Sequence, residues 1–302
     1  SEYFQSLLIL KRPEELFNRL QETALRDCLG PRGWEGWNEV PDRFRMGVLA
    51  EFRSVIPDPS LTDLFLLAGD YLNLKRSLLD QEAAPIPAGL IREEHRMLAA
   101  GGDFALLPTE LRQALQPFHG KMHEPAVRRQ ISAILDGAYL RQQLGMARRL
   151  GAPLIRQGVE IQILAQSVAA LWRAAQAGGS EMRIVADALM PLGEYNLLID
   201  ALANMPEVRG WTSLMPGDVA DCFKTAIDDE SGDGVARFLA LMADRVLDLA
   251  RSTKMQTMGP ERVWGYLTGL EAEVYNLRLV LSGVVNGISD DLLRGRLRET
   301  YV

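Results

Sequence analysis

Cysteine is nearly absent from this 302-residue chain: Cys28 and Cys222 are the only two, and they lie far apart. Two such thiols cannot build a disulfide framework, and so few in a chain of this size point to a cytosolic, reducing setting. Neither has a histidine near it in sequence, so both are expected to be small buried apolar residues in helices. Aromatic residues make up only 7%. Alternating runs of Val, Ile, Thr and Tyr are almost missing, which leaves no material for a large sheet. No apolar run reaches the roughly 18 residues that a membrane span needs. The nearest, Ile161 to Ala177, is interrupted by Gln162, Gln166, Arg173 and Gln176. Membrane association is therefore expected only through another protein. A basic block is missing too: residues 1–100, 101–200 and 201–302 carry -4, +1 and -4, a net -7. That balance argues against binding nucleic acid and against docking directly on anionic lipid. The opening Ser1-Glu2-Tyr3-Phe4 is acidic and mixed, unlike a signal peptide. A first residue other than Met points to trimming or an incomplete start.

The chemistry of sites is equally thin. His119 and His123 stand four apart, but Gly120-Lys121-Met122 between them lacks the glutamate of a metalloprotease motif, and Pro117 and Gly120 favour a loop. The stretch Asp229-Glu230-Ser231-Gly232-Asp233-Gly234 mimics the start of a calcium loop. Its ninth and twelfth positions are Arg237 and Ala240, where the twelfth needs a bidentate glutamate, so a solvated acidic loop is expected. Gly30, Gly33 and Gly36 enclose Pro31 and Trp34 and read as an irregular loop, not a phosphate cradle. No nucleophile elbow is present. No catalytic, cofactor or metal site is expected.

What the chain does have is helix. Leu, Ala, Arg, Glu and Gln dominate, and these favour helix over strand. One pattern recurs. Residues 64–78 and 267–281 superpose without a gap at an offset of 203. Acid falls on acid (Asp70, Glu273), Asn on Asn (Asn73, Asn276), Leu on Leu (Leu74, Leu277) and base on base (Lys75, Arg278). Leu64, Leu67, Tyr71, Leu74 and Leu78 step by three and four, as do Leu267, Leu270, Val274, Leu277 and Leu281. That spacing lays an apolar stripe along one helix face. A weaker copy lies at an offset of 90: Leu154, Ile161, Leu164 and Val168 keep the stripe and Glu160 keeps the acid. Ile163 replaces the Asn and Ala165 the base.

Each copy is followed by breakers: Ala84 to Gly89, Gly178-Gly179, and Gly283 to Gly287. The copies thus divide the chain into three helical units, 1–85, 86–179 and 180–302, related by pseudo-threefold symmetry. Further helices are expected from Pro13 toward Gly30, over about Arg43 to Val55, after Pro108 and Pro125, and from Gly234 to Ala250. The fold class is all-α.

The run Gly259 to Gly283, with Glu273-Val274-Tyr275-Asn276-Leu277-Arg278 at its centre, resembles the C-terminal signature of one V-type ATP synthase/ATPase family, the C subunit of prokaryotes and d subunit of eukaryotes. Asp70-Tyr71-Leu72-Asn73-Leu74-Lys75 is similar to the same family's first repeat. The resemblance implies a funnel-shaped, non-catalytic rotor subunit. Its partners would be the central-shaft subunits and the membrane proteolipid ring, with membrane contact only through the ring, at the cytoplasmic face. It would couple shaft to ring during rotary proton or sodium transport. The middle copy departs from the pattern at Ile163 and Ala165, which puts equivalence of the three units in question. Lys75, Arg76, Asn276 and Arg278 are the candidate partner contacts. Two alternatives stay open: a helical repeat adaptor unrelated to an ATPase, and a helical enzyme whose site assembles only in three dimensions.

Overall fold

A computed structural model describes residues 2–79, 86, 89–122, 124–179, 181–229 and 233–301. Among them every regular element is helical, as expected. The α-helices are α1 (Glu2–Leu7), α2 (Pro13–Gln21), α3 (Val40–Val55), α4 (Ser60–Leu79), α5 (Glu93–Ala100), α6 (Thr109–Leu115) and α7 (Pro125–Leu150). They continue with α8 (Pro153–Gln176), α9 (Met182–Leu189), α10 (Asn196–Ala203), α11 (Gly217–Ile227), α12 (Gly234–Ser252), α13 (Pro260–Val285) and α14 (Asp290–Arg296).

Proline sets many of these starts. Pro13, Pro125, Pro153 and Pro260 stand at the head of their helices, where a missing N–H costs nothing. The residues before the first three, Arg12, Glu124 and Ala152, are extended, as a following proline requires. Helix α7 stops at Gly151, whose φ of 66° needs glycine. Only Gly151 and Ala152 separate α7 from α8, so the two helices fold back as a hairpin, with Gln143 Nε2 donating to Gln162 Oε1 at 3.1 Å. Two boundaries differ from expectation. The helix from Pro13 ends at Gln21, well before Gly30, and α3 begins a turn before Arg43, where Pro41 fits its first turn. The glycine loop includes a 3₁₀ stretch, Gly33–Glu39. Cys222 is buried in α11, while Cys28 is only half-buried at the end of a short 3₁₀ turn. The histidine pair and the acidic loop include His123 and Glu230 to Gly232, which lie outside the described residues.

The chain packs as two compact units. One joins residues 1–62 to 247–302, and the other holds 63–246. This division follows packing, whereas the three-part division of the sequence follows pattern. In the first unit, Phe4, Leu7, Leu16, Phe17, Leu20 and Val40 from the start of the chain bury against Leu277, Val280, Leu281 and Leu293 from its end. At about 1.5–3 kcal/mol for each large apolar side chain removed from water, this core amply accounts for the joining of the termini. In the second unit Leu67, Tyr71, Leu74 and Leu78 of α4 pack with Leu111 and Leu115 of α6 and Ile131 and Leu135 of α7. A second cluster there brings together Trp172 of α8, Phe223 of α11 and Phe238 of α12 in tilted and edge-on contacts, with Trp172–Phe223 ring centroids 4.7 Å apart.

The apolar stripes of the first and last copies are buried throughout. That of the middle copy is not: Leu154, Ile161 and Leu164 are half-buried, and Ile155, Val159 and Ile163 carry the buried face instead.

Helices α7 and α9 cross closely at Gly137, where a Cβ would fall inside the van der Waals radius of the Ala188 carbonyl oxygen. One turn on, Arg141 Nη1 donates to the carbonyls of Ala188, Leu189 and Met190 at 3.0, 3.2 and 3.2 Å. It thereby closes the exposed acceptors at the C-terminal end of α9, where the helix dipole also favours a cation. Gly137→Ala should lower the free energy of unfolding in urea by about 1–3 kcal/mol, because backbone must move to admit the methyl. Gly145→Ala, two turns along the same helix, meets only the end of the Arg149 side chain and should raise it by about 0.5 kcal/mol.

Candidate functional site

The repeated polar residues face different surroundings in the three copies. Asn73 is 1% exposed, and its side-chain amide meets both backbone polar groups of one residue. Nδ2 donates to the Ile86 carbonyl at 3.0 Å, and Oδ1 accepts from the Ile86 N–H at 2.8 Å. Asn276 is fully buried and does the same to Arg298, at 2.9 Å in both directions. In the first and last copies, then, an amide on the buried face of a helix holds the chain that returns after that helix. Asparagine suits the task because its side chain carries the same donor and acceptor as a peptide group, in one plane.

Asp70, one turn before Asn73, extends the grip. Its Oδ1 accepts from the N–H groups of Leu90 and Ile91 at 2.6 and 2.7 Å, and Arg96 donates to the Ile91 carbonyl at 2.8 Å. Gly89 makes the approach possible. Its φ is 104°, and a Cβ there would collide with the Asp70 carboxylate. Burial pushes the Asp70 carboxyl above the ordinary carboxylate range, and the two N–H donors and Arg96 draw it only partly back.

The bases reach neighbouring helices. Lys75 pairs with Asp136 of α7, beside Tyr71, whose hydroxyl donates to Gln142 Oε1 at 2.8 Å. Burial pushes the Tyr71 phenol far up, so it stays a neutral donor. Arg278 pairs with Asp42 of α3 at 2.7 Å, beside an Arg45–Glu271 pair also at 2.7 Å and a Phe52–Tyr266 stack. Burial raises the Glu271 carboxyl and Arg45 lowers it again. Arg298, whose backbone Asn276 holds, lays its guanidinium 3.8 Å over the Tyr275 ring.

The middle copy has none of this. Ile163 and Ala165 are buried among apolar neighbours, and Glu160 meets Arg156 of its own helix at 3.5 Å. Glu160 borders an open groove of about 610 Å³ that it shares with Arg148, Arg156, Glu194 and Tyr195.

Of the four residues expected to meet partners, Asn276 is buried, and both ends of its amide serve Arg298. Lys75 is mostly buried against Asp136, Arg76 is half-buried, and Arg278 keeps half its side chain in solvent. Sequence reasoning missed Ile86, Arg298, Asp42 and Asp136. The first two are held through their main chain, so their side chains give no sign of it.

These features define a class: an all-α body in which buried polar residues tie returning chain to helix. No cluster of metal-ligating side chains occurs among the described residues, and no helix there is long and apolar enough to cross a membrane. The chain belongs to the ATP synthase (C/AC39) subunit family, whose model matches residues 2–296. It is also 23% identical over 199 residues to the C subunit of the V-type sodium ATPase of Enterococcus hirae. That match takes in 65% of this chain and 59% of the relative, so less than two thirds of the relative's length is spanned.

Two outcomes follow for the grip itself. Asn276→Ala should cost about 2–3 kcal/mol in denaturant unfolding, since the Arg298 N–H and carbonyl lose both partners. Asn276→Asp should not restore it, because the donor to the carbonyl is gone. Asp70 behaves differently. Its folded value is raised, so its stabilising contribution is complete below the unfolded value of about 4 and is lost as pH rises through the folded one. Asp70→Asn still offers Oδ1 to Leu90 and Ile91. It should match or exceed the parent in thermal stability at pH 7, and the gap should close as pH falls to about 4.

Proposed function

We propose that this chain is a non-catalytic rotor subunit of a V-type ATPase. It couples the central-shaft subunits to the membrane proteolipid ring during rotary transport of protons or sodium, as a peripheral subunit on the cytoplasmic face. The observation that carries this reading is the family match along nearly the whole chain. The printed name of the Enterococcus hirae relative, a subunit of a sodium ATPase, agrees with it.

The packing supports a body built from three repeat units. Helix α4 packs on α7 through Lys75 and Tyr71, and α8 packs on α12 through Trp172 and Phe238. Helix α13 packs on α3 through Arg278, Glu271 and Tyr266. Each repeat helix thus leans on a helix of the following third, and the last leans on the first. A part that transmits torque must resist shear between its elements. Buried amide grips and cross-helix ion pairs serve that end better than apolar contact alone, because they are directional.

Shaft contact is proposed for polar residues of the repeat helices that keep side chain in solvent, with Arg278 foremost and the half-buried Arg76 and Lys75 behind it. Contacts between exposed charges are screened by salt. The purified chain should therefore bind shaft subunits in titration calorimetry, more weakly at high ionic strength than at low. Arg278→Glu should weaken the low-salt binding about tenfold. Binding indifferent to salt and to that substitution would sink the charged-contact account, and failure of the host complex to co-purify would sink the rotor role.

A further inference from the structure

Residues 298–301 lie along α13 without regular structure of their own. Asn276 holds both backbone polar groups of Arg298, and the Tyr301 side chain sits over Gly269 and Gly265. From Asn276 to Gly269 is seven residues of helix, or about 10 Å. Three residues of extended chain cover about the same distance, so the segment runs stretched out and antiparallel to the helix. Its side chains are met one after another. The Arg298 guanidinium lies 3.8 Å over the Tyr275 ring. Arg251 donates to the Glu299 carboxylate and to the Thr300 carbonyl, both at 2.6 Å. Lys254 Nζ stands 4.6 Å from the centre of the Tyr301 ring. At Gly269 the atoms nearest to an added Cβ all belong to Tyr301, so the missing side chain is the notch that seats the ring. An amide for backbone, a cation for an acid and a notch for a ring together read an extended peptide.

The segment that fills this groove is lightly anchored. Arg298, Thr300 and Tyr301 are half-buried and Glu299 is exposed. The first copy differs: beyond the same grip at Ile86, the chain goes on to bury Ile91, Phe104 and Leu107 in a core. Exposed charge contacts contribute little each, and ordering the backbone of the segment opposes them. Segments held in this way open locally while the helices beneath stay folded. The family match ends at residue 296, so α13 lies inside the matched region and its present occupant outside it.

We propose that the groove formed by Arg251, Lys254 and α13 binds an extended segment of a partner protein, with an acid two residues before an aromatic ring. Residues 298–301 fill it in cis until that segment displaces them. The choice of occupant rests on the fit already seated there: Glu299 on Arg251 and Tyr301 in the Gly269 notch. Nothing in this depends on the rotor reading, and either can fail while the other stands.

The probe is a fluorescein-labelled peptide of residues 297–301, capped as an amide and read by anisotropy against the full chain. Two variants should move its binding in opposite senses. Tyr301→Ser withdraws the cis ring and leaves the groove whole, so the peptide should bind at least tenfold tighter than to the parent. Gly269→Ala also expels the ring but fills the notch, so binding should be no tighter than to the parent. A peptide with serine in place of its tyrosine makes the same test from the ligand side, whatever the fate of the glycine variant. It should bind Tyr301→Ser at least tenfold more weakly than the tyrosine peptide. Hydrogen exchange reads the release itself: the Arg298 N–H should exchange at least tenfold faster in Tyr301→Ser than in the parent, with the Ile91 N–H unchanged. Equal binding to parent and Tyr301→Ser, equal binding of the two peptides, or unmoved Arg298 exchange overturns the proposal. A parent chain that dimerises with concentration, and that the peptide dissociates, would make a second copy the occupant and overturn the assignment to a partner protein.

Discussion

One side-chain amide, placed on the buried face of a long helix, governs how this chain is closed. A peptide segment returning over a helix brings N–H and C=O groups that the helix cannot satisfy, because its own backbone is fully paired. Leaving both groups dry costs more than most single contacts supply. Asn73 and Asn276 each meet the pair from one side chain, at Ile86 and at Arg298. The consequences spread outward from there. With Ile86 held, Leu90 and Ile91 reach Asp70, and Ile91 enters the core beside Tyr71 and Leu74. With Arg298 held, Tyr301 comes to rest on Gly269 and Gly265, two helix positions where a side chain would leave it no room. The glycines of α13 are thus part of the same closure as its asparagine.

Much of the helical layout can be read directly. Proline at a helix head and glycine beyond a helix end act locally, so Pro125, Pro153 and Gly151 show in sequence what they do in the fold. The stripes of α4 and α13 are equally legible, because a buried face needs one side chain every three or four residues whatever it packs against. The middle stripe misleads. Extending the offset of 90 selects Leu154, Ile161 and Leu164, while the buried face turns through Ile155, Val159 and Ile163. The cause is that α8 packs on α7, α9, α10 and α12 and carries small buried residues at Gly158, Ala165, Ser167 and Ala169. Such a helix has no single apolar stripe to find.

The polar site is legible in its chemistry and not in its direction. Asn on Asn at an offset of 203 marks a shared duty, but a duty toward main chain leaves no partner residue to recognise. The bases are clearer, since Lys75 and Arg278 each require an acid; the acids, Asp136 and Asp42, are simply too far along the chain to be paired from pattern. Asn276 reads as a surface residue for the same reason: a polar side chain beside charged ones suggests solvent, and only its partner shows that it lies inside.

The acid of the repeat has the most to say about how copies diverge. In the first copy it is answered by two backbone N–H groups, and in the second by an arginine one turn back. These are two ways to keep a carboxylate near a core: hydrogen-bond it or pair it. At the position of the asparagine, α8 carries Ile163, fully buried, where an amide would need a partner for both its donor and its acceptor. A residue retained after its structural partners have gone is where a repeat can acquire contacts beyond its own chain.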